Sequence, residues 1–287
     1  MITSDNFKDY VLLDAGDKEK LESWKGIILR RPDPMAIWPK SKPELWDNTD
    51  GYYHRSNKGG GSWQFNHKLP ESWTVNYRDL TFKVSPTNFK HTGLFPEQVS
   101  NWDFIYESIK GKKDIKILNL FGYTGAASMV SSFAGASEVV HVDASKGINE
   151  WAKENMKLSK LTDHTIRFIA DDALKFTARE IRRGRKYDGI IMDPPSYGRG
   201  PDNELFKFED KINPLIENCL DLLSDNPLFL IINTYTTGYS PVAMENTLNR
   251  HLQLKGLQGN VEVDEIGIKI ADSDYVLPCG QTSRFYK

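Results

Sequence analysis

The sequence predicts an α/β fold: a doubly wound, mostly parallel sheet with an antiparallel edge strand, preceded by a small antiparallel β domain. Three observations lead there. Five short apolar runs, each followed by a stretch with helical spacing, succeed one another from residue 115 onward. Two further strand candidates, VEVDEIGI and SRFYK, then follow with no helix after them. Before residue 86 the chain is rich in Trp, Tyr, Pro and Gly and poor in helical periodicity.

The elements are expected in the following order. GIILRRPDPMAIW reads as short strands punctuated by Pro32 and Pro34. NKGGGSWQF, from Asn57 to Phe65, reads as a turn leading into a strand, and WTVNYRDLTFKVSP as a hairpin turning on YRDL. These segments form the β domain, residues 1–85. In FPEQVSNWDFIYESIKG, Val99, Trp102, Phe104, Ile105 and Ile109 fall near one helical face. The alternating part comes next. IKILNLF (115–121) precedes TGAASMVSSFAGA, EVVHVD (138–143) precedes SKGINEWAKENMKLSKL, and TIRFIAD (165–171) precedes ALKFTAREIRRG. YDGIIMD (187–193) leads through a loop to LFKFEDKINPLIENCLDLL, and LFLIINT (228–234) leads to PVAMENTLNRHLQL. This second domain spans 86–287.

Bulk properties narrow the function. The 287 residues are 39% hydrophobic and 26% charged, enough to bury a sizeable core. A formal charge of −2 argues against a chain that is basic throughout, although a local basic patch is compatible with it. Cys219 and Cys279 stand far apart, with neither metal-ligand spacing nor a disulfide framework, which fits a reducing cytoplasm. MITSDNFKDY lacks the apolar core of a signal peptide, and no apolar run approaches the length of a membrane span, so no membrane partner is expected.

The candidate site residues gather where strands end. In NLFGYTGAAS, Gly122 and Gly125 allow a tight turn and close approach of a ligand to the backbone. Asp143 ends the second strand of the alternating part, where an acid faces the ligand crevice and accepts both hydroxyls of a ribose; capping the next helix is its structural alternative, with Ser145 also available for that task. Asp171 and Asp172 end the third strand. One of them, Asp172 first, suits an adenine amine, and helix capping is the alternative for Asp171. Asp193 ends the fourth strand and opens DPPSYGRG. Its carboxylate and the carbonyl of Pro194, held by the rigid Pro194–Pro195 pair, suit an amine-like group presented edge-on. Tyr197 suits stacking on a flat ring, and Arg199 suits a phosphate. Arg30, Arg31, Arg55, Lys58 and Lys90 are further cation candidates for RNA. The run REIRRGRKYDG reads instead as a solvated helix C-terminus complementing its dipole.

Taken together, NLFGYTGAAS, HVDAS, DDAL and MDPPSYGRG resemble the consecutive cofactor and catalytic motifs of the class I S-adenosylmethionine-dependent methyltransferases, over residues 86–287. HTGLFPEQ, NLFGYTG and YVLPCGQTSRF further resemble the large-subunit rRNA cytosine methyltransferases and their less characterised relatives. The resemblance implies a Rossmann-like sheet and S-adenosyl-L-methionine as cofactor. It implies cofactor contacts from Thr92, Gly93, Phe95, Gln98, Asn119, Phe121, Gly122, Thr124, Gly125, Asp143, Ala144, Ser145, Asp171, Asp172, Ala173 and Asp193. Asp193, Pro194, Pro195 and Tyr197 are the implied catalytic group, with Tyr197 and Arg199 on the substrate and no metal. The N-terminal β domain is similar to the substrate-side domain of these enzymes, and no RNA-binding PUA domain is discernible.

One departure matters. Methylation of cytosine at C5 needs a thiolate to attack C6. The resemblance places that cysteine just after the fifth strand, where this chain reads INTYTTGYS. Cytosine C5 chemistry is therefore not carried over. The DPP-aromatic motif instead resembles the amine-directed base methyltransferases, with Ser196 intervening before Tyr197. The expected function is methylation of an RNA nucleotide, rRNA first, by direct displacement. The alternatives are methylation of a protein or small molecule, and a non-catalytic RNA-binding or assembly factor of the same fold.

Overall fold

The computed structural model describes residues 1–56, 60–87, 91–236 and 238–287. Lys58 and Lys90, among the cations considered for RNA, lie outside them. Two compact units are present, Met1–Ser100 with Ile266–Cys279, and Asn101–Glu265 with Gly280–Lys287.

In the first unit, β1 (Tyr10–Gly16), β2 (Glu19–Trp24), β3 (Ile27–Pro32), β4 (Gly51–Arg55) and β5 (Gly61–Phe65) form a five-stranded sheet in chain order. β6 (Trp73–Tyr77) and β7 (Leu80–Val84) form a separate hairpin, with Arg78 in the left-handed region at φ 51°. β1 and β2 are not evident in the sequence, because YVLLDAG and EKLESW bury side chains irregularly and a register shift falls between Leu12 and Asp14. The chain also leaves the sheet after Pro32, so DPMAIW is not strand.

The first unit extends past residue 85. Ser85 N donates to Thr92 O at 2.9 Å, which holds the segment after the hairpin against it. Residues 266–279 join through bridges between Ile2 and Ile266 and between Leu12 and Ile270. A boundary drawn where composition changes does not register such pairings.

The second unit begins with α1 (Val99–Ile109), which passes into it from the first unit. β8 (Lys116–Leu120), α2 (Ala126–Phe133), β9 (Glu138–Asp143), α3 (Lys146–Leu158), β10 (Ile166–Ala170) and α4 (Ala173–Arg182) follow. Next come β11 (Gly189–Met192), a ribbon of β12 (Tyr197–Arg199) and β13 (Leu205–Lys207), α5 (Phe208–Leu222), β14 (Phe229–Thr234) and α6 (Pro241–Lys255). β15 (Asn260–Lys269) and β16 (Val276–Tyr286) end the chain.

The seven-stranded sheet has the order β10-β9-β8-β11-β14-β16-β15. β8 to β11 and β14 are parallel, β16 is antiparallel to β14, and β15 takes the edge beyond it. Burial explains the uninterrupted apolar runs: all four residues of β11 and all six of β14 are buried, as expected of central parallel strands covered on both faces. The ribbon corrects the sequence reading, in which LFK belonged to the following helix. Leu205–Lys207 pairs with Tyr197–Arg199 instead, and α5 starts at Phe208.

Because the five strands are parallel, their C-terminal ends share one rim. The order reverses between β8 and β11, the switch point at which open α/β sheets form a crevice.

Candidate active site

β8 ends at Leu120, and the chain then turns through backbone conformations that side chains normally avoid. Phe121 and Tyr123 have φ of 55° and 51°, and Gly125, which begins α2, has φ of 88°. Each non-glycine residue held there costs roughly 1–2 kcal/mol. Several bonds hold the turn in place. Gly122 N donates to Val142 O and Gly125 N to Gly122 O, both at 3.0 Å. Asn155 Nδ2 donates to Thr124 O at 2.9 Å, and Tyr123 N donates to Asp143 Oδ2 at 3.0 Å.

Under the turn lies a buried polar group in which Asn119, expected to contact the cofactor, meets His141, which the sequence reading missed, through Ser128. Asn119 Nδ2 donates to Ser128 Oγ at 2.9 Å, and Ser128 Oγ lies 2.9 Å from His141 Nδ1. Asn119 is thus turned inward as a support of the loop. Burial lowers the pKa of His141 to about 4, so the ring is neutral at physiological pH. A side chain on Gly122 would come within 2.3 Å of His141 Cε1, so the ring forms the floor of the turn and requires glycine above it. The signal available in the sequence was the histidine in VVHVD, a polar residue inside an otherwise apolar strand.

Asp143 ends β9. Its two carboxylate oxygens accept from Ser145 N at 2.9 Å and Tyr123 N at 3.0 Å. Burial raises its pKa in spite of these two bonds. Capping of α3 falls to Ser145, which accepts from Ile148 N at 3.3 Å, so Asp143 is not the cap. Each oxygen keeps acceptor capacity, since a carboxylate offers about four acceptor sites.

At the end of β10, capping falls on the other acid from the one expected. Asp172 caps α4 by accepting from Lys175 N at 2.9 Å, whereas Asp171 pairs with Arg179. Asp171 is thereby committed to the protein. Ala173 is buried in the first turn of α4.

At the end of β11, Asp193 is half-buried and Pro194 buried. The chain then runs into the β12–β13 ribbon, which ties the motif to its surroundings. Ser196 O accepts from Phe208 N at 3.1 Å, and Ser196 Oγ accepts from Thr236 Oγ1 at 2.8 Å. Phe206 packs edge-on against Phe121 with ring centroids 5.2 Å apart, and Lys175 pairs with Glu204. The loops after β8, β11 and β14 are therefore mutually braced. Tyr197 is 57% exposed, and Arg199 donates to Asn203 Oδ1 at 2.9 Å on the outer side of the ribbon.

The structure thus gathers Phe121, Gly122, Thr124, Gly125, Asp143, Ala144, Ser145, Asp172, Asp193, Pro194, Pro195 and Tyr197 at strand ends on one rim of the second unit. Thr92, Gly93, Phe95 and Gln98 belong to the first unit. There Thr92 is buried, Gly93 has φ of 106°, and Phe95 packs on His91 with centroids 5.3 Å apart.

Neither cysteine has thiolate character. Cys219 is fully buried in the core, and burial drives its pKa far up. Cys279 is raised as well, by burial first and then by the charge of Glu97.

Much of the basic run before β11 is engaged within the protein. Arg183 meets Glu180 at 3.0 Å, Arg185 meets Glu138 at 2.6 Å, and Lys186 donates to Asp221 O at 2.7 Å. Arg31 is not a free cation for RNA either, because it is buried against Glu22. Arg30 is held by both oxygens of Glu19.

Comparison with known proteins agrees with this geometry. The family model of the S-adenosylmethionine-dependent methyltransferases matches residues 51–248, well over half of the chain. The chain belongs to that family. The crystal structure of the SAM-dependent methyltransferase from Agrobacterium tumefaciens matches with a TM-score of 0.94 at 35% identity, covering 99% of this chain and 92% of that one. Ribosomal RNA large subunit methyltransferase K of Neisseria meningitidis is 23% identical over 227 residues, 76% of this chain and 63% of the relative. Ribosomal RNA large subunit methyltransferase K/L of Colwellia psychrerythraea is 29% identical over 168 residues, 58% of this chain and 22% of the relative. The chain therefore spans less than two thirds of the length of these two curated relatives.

The rim fits the cofactor that defines the methyltransferase family. A diol needs an ionised acceptor with spare capacity, held still, and Asp143 is held by two backbone N–H groups. Close approach of a nucleoside needs a tight turn, and Gly122, packed on the His141 ring, and Gly125, at φ 88°, shape one.

Proposed function

We propose that this protein transfers a methyl group from S-adenosyl-L-methionine to a nucleotide of RNA, ribosomal RNA first among the candidates. The observation that carries the reading is the pairing of Asp143 with Asp193-Pro194-Pro195 on one rim, on either side of the switch point between β9–β8 and β11. The names of the curated relatives support ribosomal RNA as the substrate.

In this reading Asp143 holds the ribose of the cofactor, the turn shaped by Gly122 and Gly125 lies beside it, and Asp172 keeps one oxygen for the adenine amine while the other caps α4. The bound cofactor supplies a methyl on a sulfonium, a leaving group already activated by its charge. Asp193 and the Pro194 carbonyl hold the accepting atom in line with that methyl, and Asp193 takes up the proton it sheds. The prolines and the braces from Ser196 and Phe206 keep Asp193 from drifting. Tyr197 stacks on the target ring, and Arg199 meets a phosphate. The raised thiols of Cys219 and Cys279 favour direct displacement over a covalent cysteine intermediate. Among the described residues no helix is long and apolar enough to cross a membrane, and we place the activity in the cytoplasm.

The test is mass spectrometry of nucleosides from ribosomal RNA of cells with and without the gene, joined to transfer of labelled methyl to the unmodified RNA by the purified protein. Loss of one methylated nucleoside, restored in vitro, supports the proposal. Labelling of protein or metabolites with RNA inert overturns it.

A further inference from the structure

One hairpin of the first unit lies in a stretch that combines cations and aromatic residues without an acid. From Gly51 to Pro70 the sequence reads GYYHRSNKGGGSWQFNHKLP. It holds Arg55, Lys58 and Lys68 and no acid, in a protein whose formal charge is −2. Tyr52, Tyr53, Trp63 and Phe65 are interleaved with these cations. The nearest acid before it, Asp50, is already engaged by Ile28 N at 2.6 Å and by His67 at 3.3 Å.

β4 and β5 form this hairpin, and β5 is the outer strand of its sheet. The register sets Gly51 opposite Phe65, Tyr53 opposite Trp63, and Arg55 opposite Gly61. Residues opposite one another share a face, so one face carries Tyr53, Arg55, Trp63 and Phe65 together. Tyr53 is buried at the base of that face, and Trp63 meets it edge-on with centroids 5.4 Å apart. Trp63 Nε1 donates to Thr87 O at 2.8 Å, which fixes the indole. Phe65 is parallel to Trp63 within 5°, with centroids 5.9 Å apart, and remains 43% exposed. A side chain on Gly51 would meet the Phe65 ring at 3.0 Å, so the ring packs over that glycine. Arg55 is exposed on the same face.

Aromatic rings left partly exposed beside Arg55, in a stretch of sequence without an acid, match a polyanion whose rings are available for stacking. Single-stranded nucleic acid presents its bases in this way, and a duplex hides them. We propose that the β4–β5 hairpin is a docking surface for single-stranded RNA, with Phe65 and Trp63 stacking on bases and Arg55 meeting a phosphate. The proposal rests on the reading of RNA as substrate.

The test uses the full chain, a short unstructured RNA carrying a fluorophore, and the same strand annealed to its complement. Phe65→Ala should weaken single-strand binding by about 5- to 150-fold, the scale of one lost stacking contact. Arg55→Ala should reduce the slope of log affinity against log salt by about 0.7, as expected for one phosphate contact on a single strand. Both variants should melt and bind S-adenosyl-L-methionine as the parent does. If the parent binds RNA and Phe65→Ala binds it equally well, or if the parent prefers the duplex, the hairpin is not this surface. If the parent binds neither form, the RNA reading fails along with it.

Discussion

Replacing Asp143 with alanine separates two tasks of one carboxylate. In the protein alone, it anchors Tyr123 N and Ser145 N, and with them a turn in which Tyr123 sits at φ 51°. Hydrogen bonds to charged groups are worth about 1.5–3 kcal/mol each, but removing a carboxylate whose burial is unfavourable returns part of that. The expected loss of stability is therefore about 1–3 kcal/mol. Toward the cofactor, loss of the bonds to the diol should cost about 1.5–3 kcal/mol, or roughly 10- to 150-fold in dissociation constant. Calorimetric titration with S-adenosyl-L-methionine, beside thermal unfolding, measures both effects. pH gives a second arm. The diol donates to the ionised carboxylate, so affinity in the parent should fall as pH drops through the raised pKa of Asp143, and the alanine variant should lose that dependence. Stability has the opposite sign. With the folded pKa above the unfolded one, the contribution of Asp143 is most favourable below the unfolded pKa and is lost as pH rises through the folded value. A folded Asp143→Ala protein with unchanged affinity would remove this residue from the site.

Asp193→Ala should lower single-turnover transfer by roughly 100-fold or more with cofactor affinity largely intact, while Tyr197→Ala should weaken substrate affinity instead; normal turnover without Asp193 would reduce DPPSY to a rigid turn. Gly122→Ala drives a methyl group to 2.3 Å from the His141 ring, an overpacking expected to cost about 1–3 kcal/mol and to weaken cofactor binding as the turn shifts. Thermal unfolding and titration check that outcome, and an unperturbed Gly122→Ala protein would contradict the packing described. The double variant Cys219→Ala, Cys279→Ala should retain methyl transfer; a folded, cofactor-binding double variant without transfer would restore a covalent thiol mechanism.

Much of this protein was legible in the order of its residues. The runs that became β8, β9, β11 and β14 are largely apolar because central parallel strands are covered on both faces, and that demand acts on nearly every residue in turn. The positions of Asp143 and Asp193 followed, since an acid closing such a run falls at a strand end whichever helix comes next. What the sequence alone left undecided were partnerships across the chain. Asp171 and Asp172 are adjacent and chemically identical, and only the approach of Arg179, one helical face further on, committed the first to an ion pair and the second to the cap. Arg31 looks like any surface cation until Glu22 meets it across the β2–β3 pair and buries it. The ribbon β12–β13 is three residues to a strand, too short to show a period, and Phe206 packs it on Phe121 some eighty residues earlier in the chain. Local sequence determined which segments become strands and helices, because burial and backbone geometry act over a few residues. Tertiary structure decided which polar groups remain available to a ligand, because that depends on neighbours brought together only by folding.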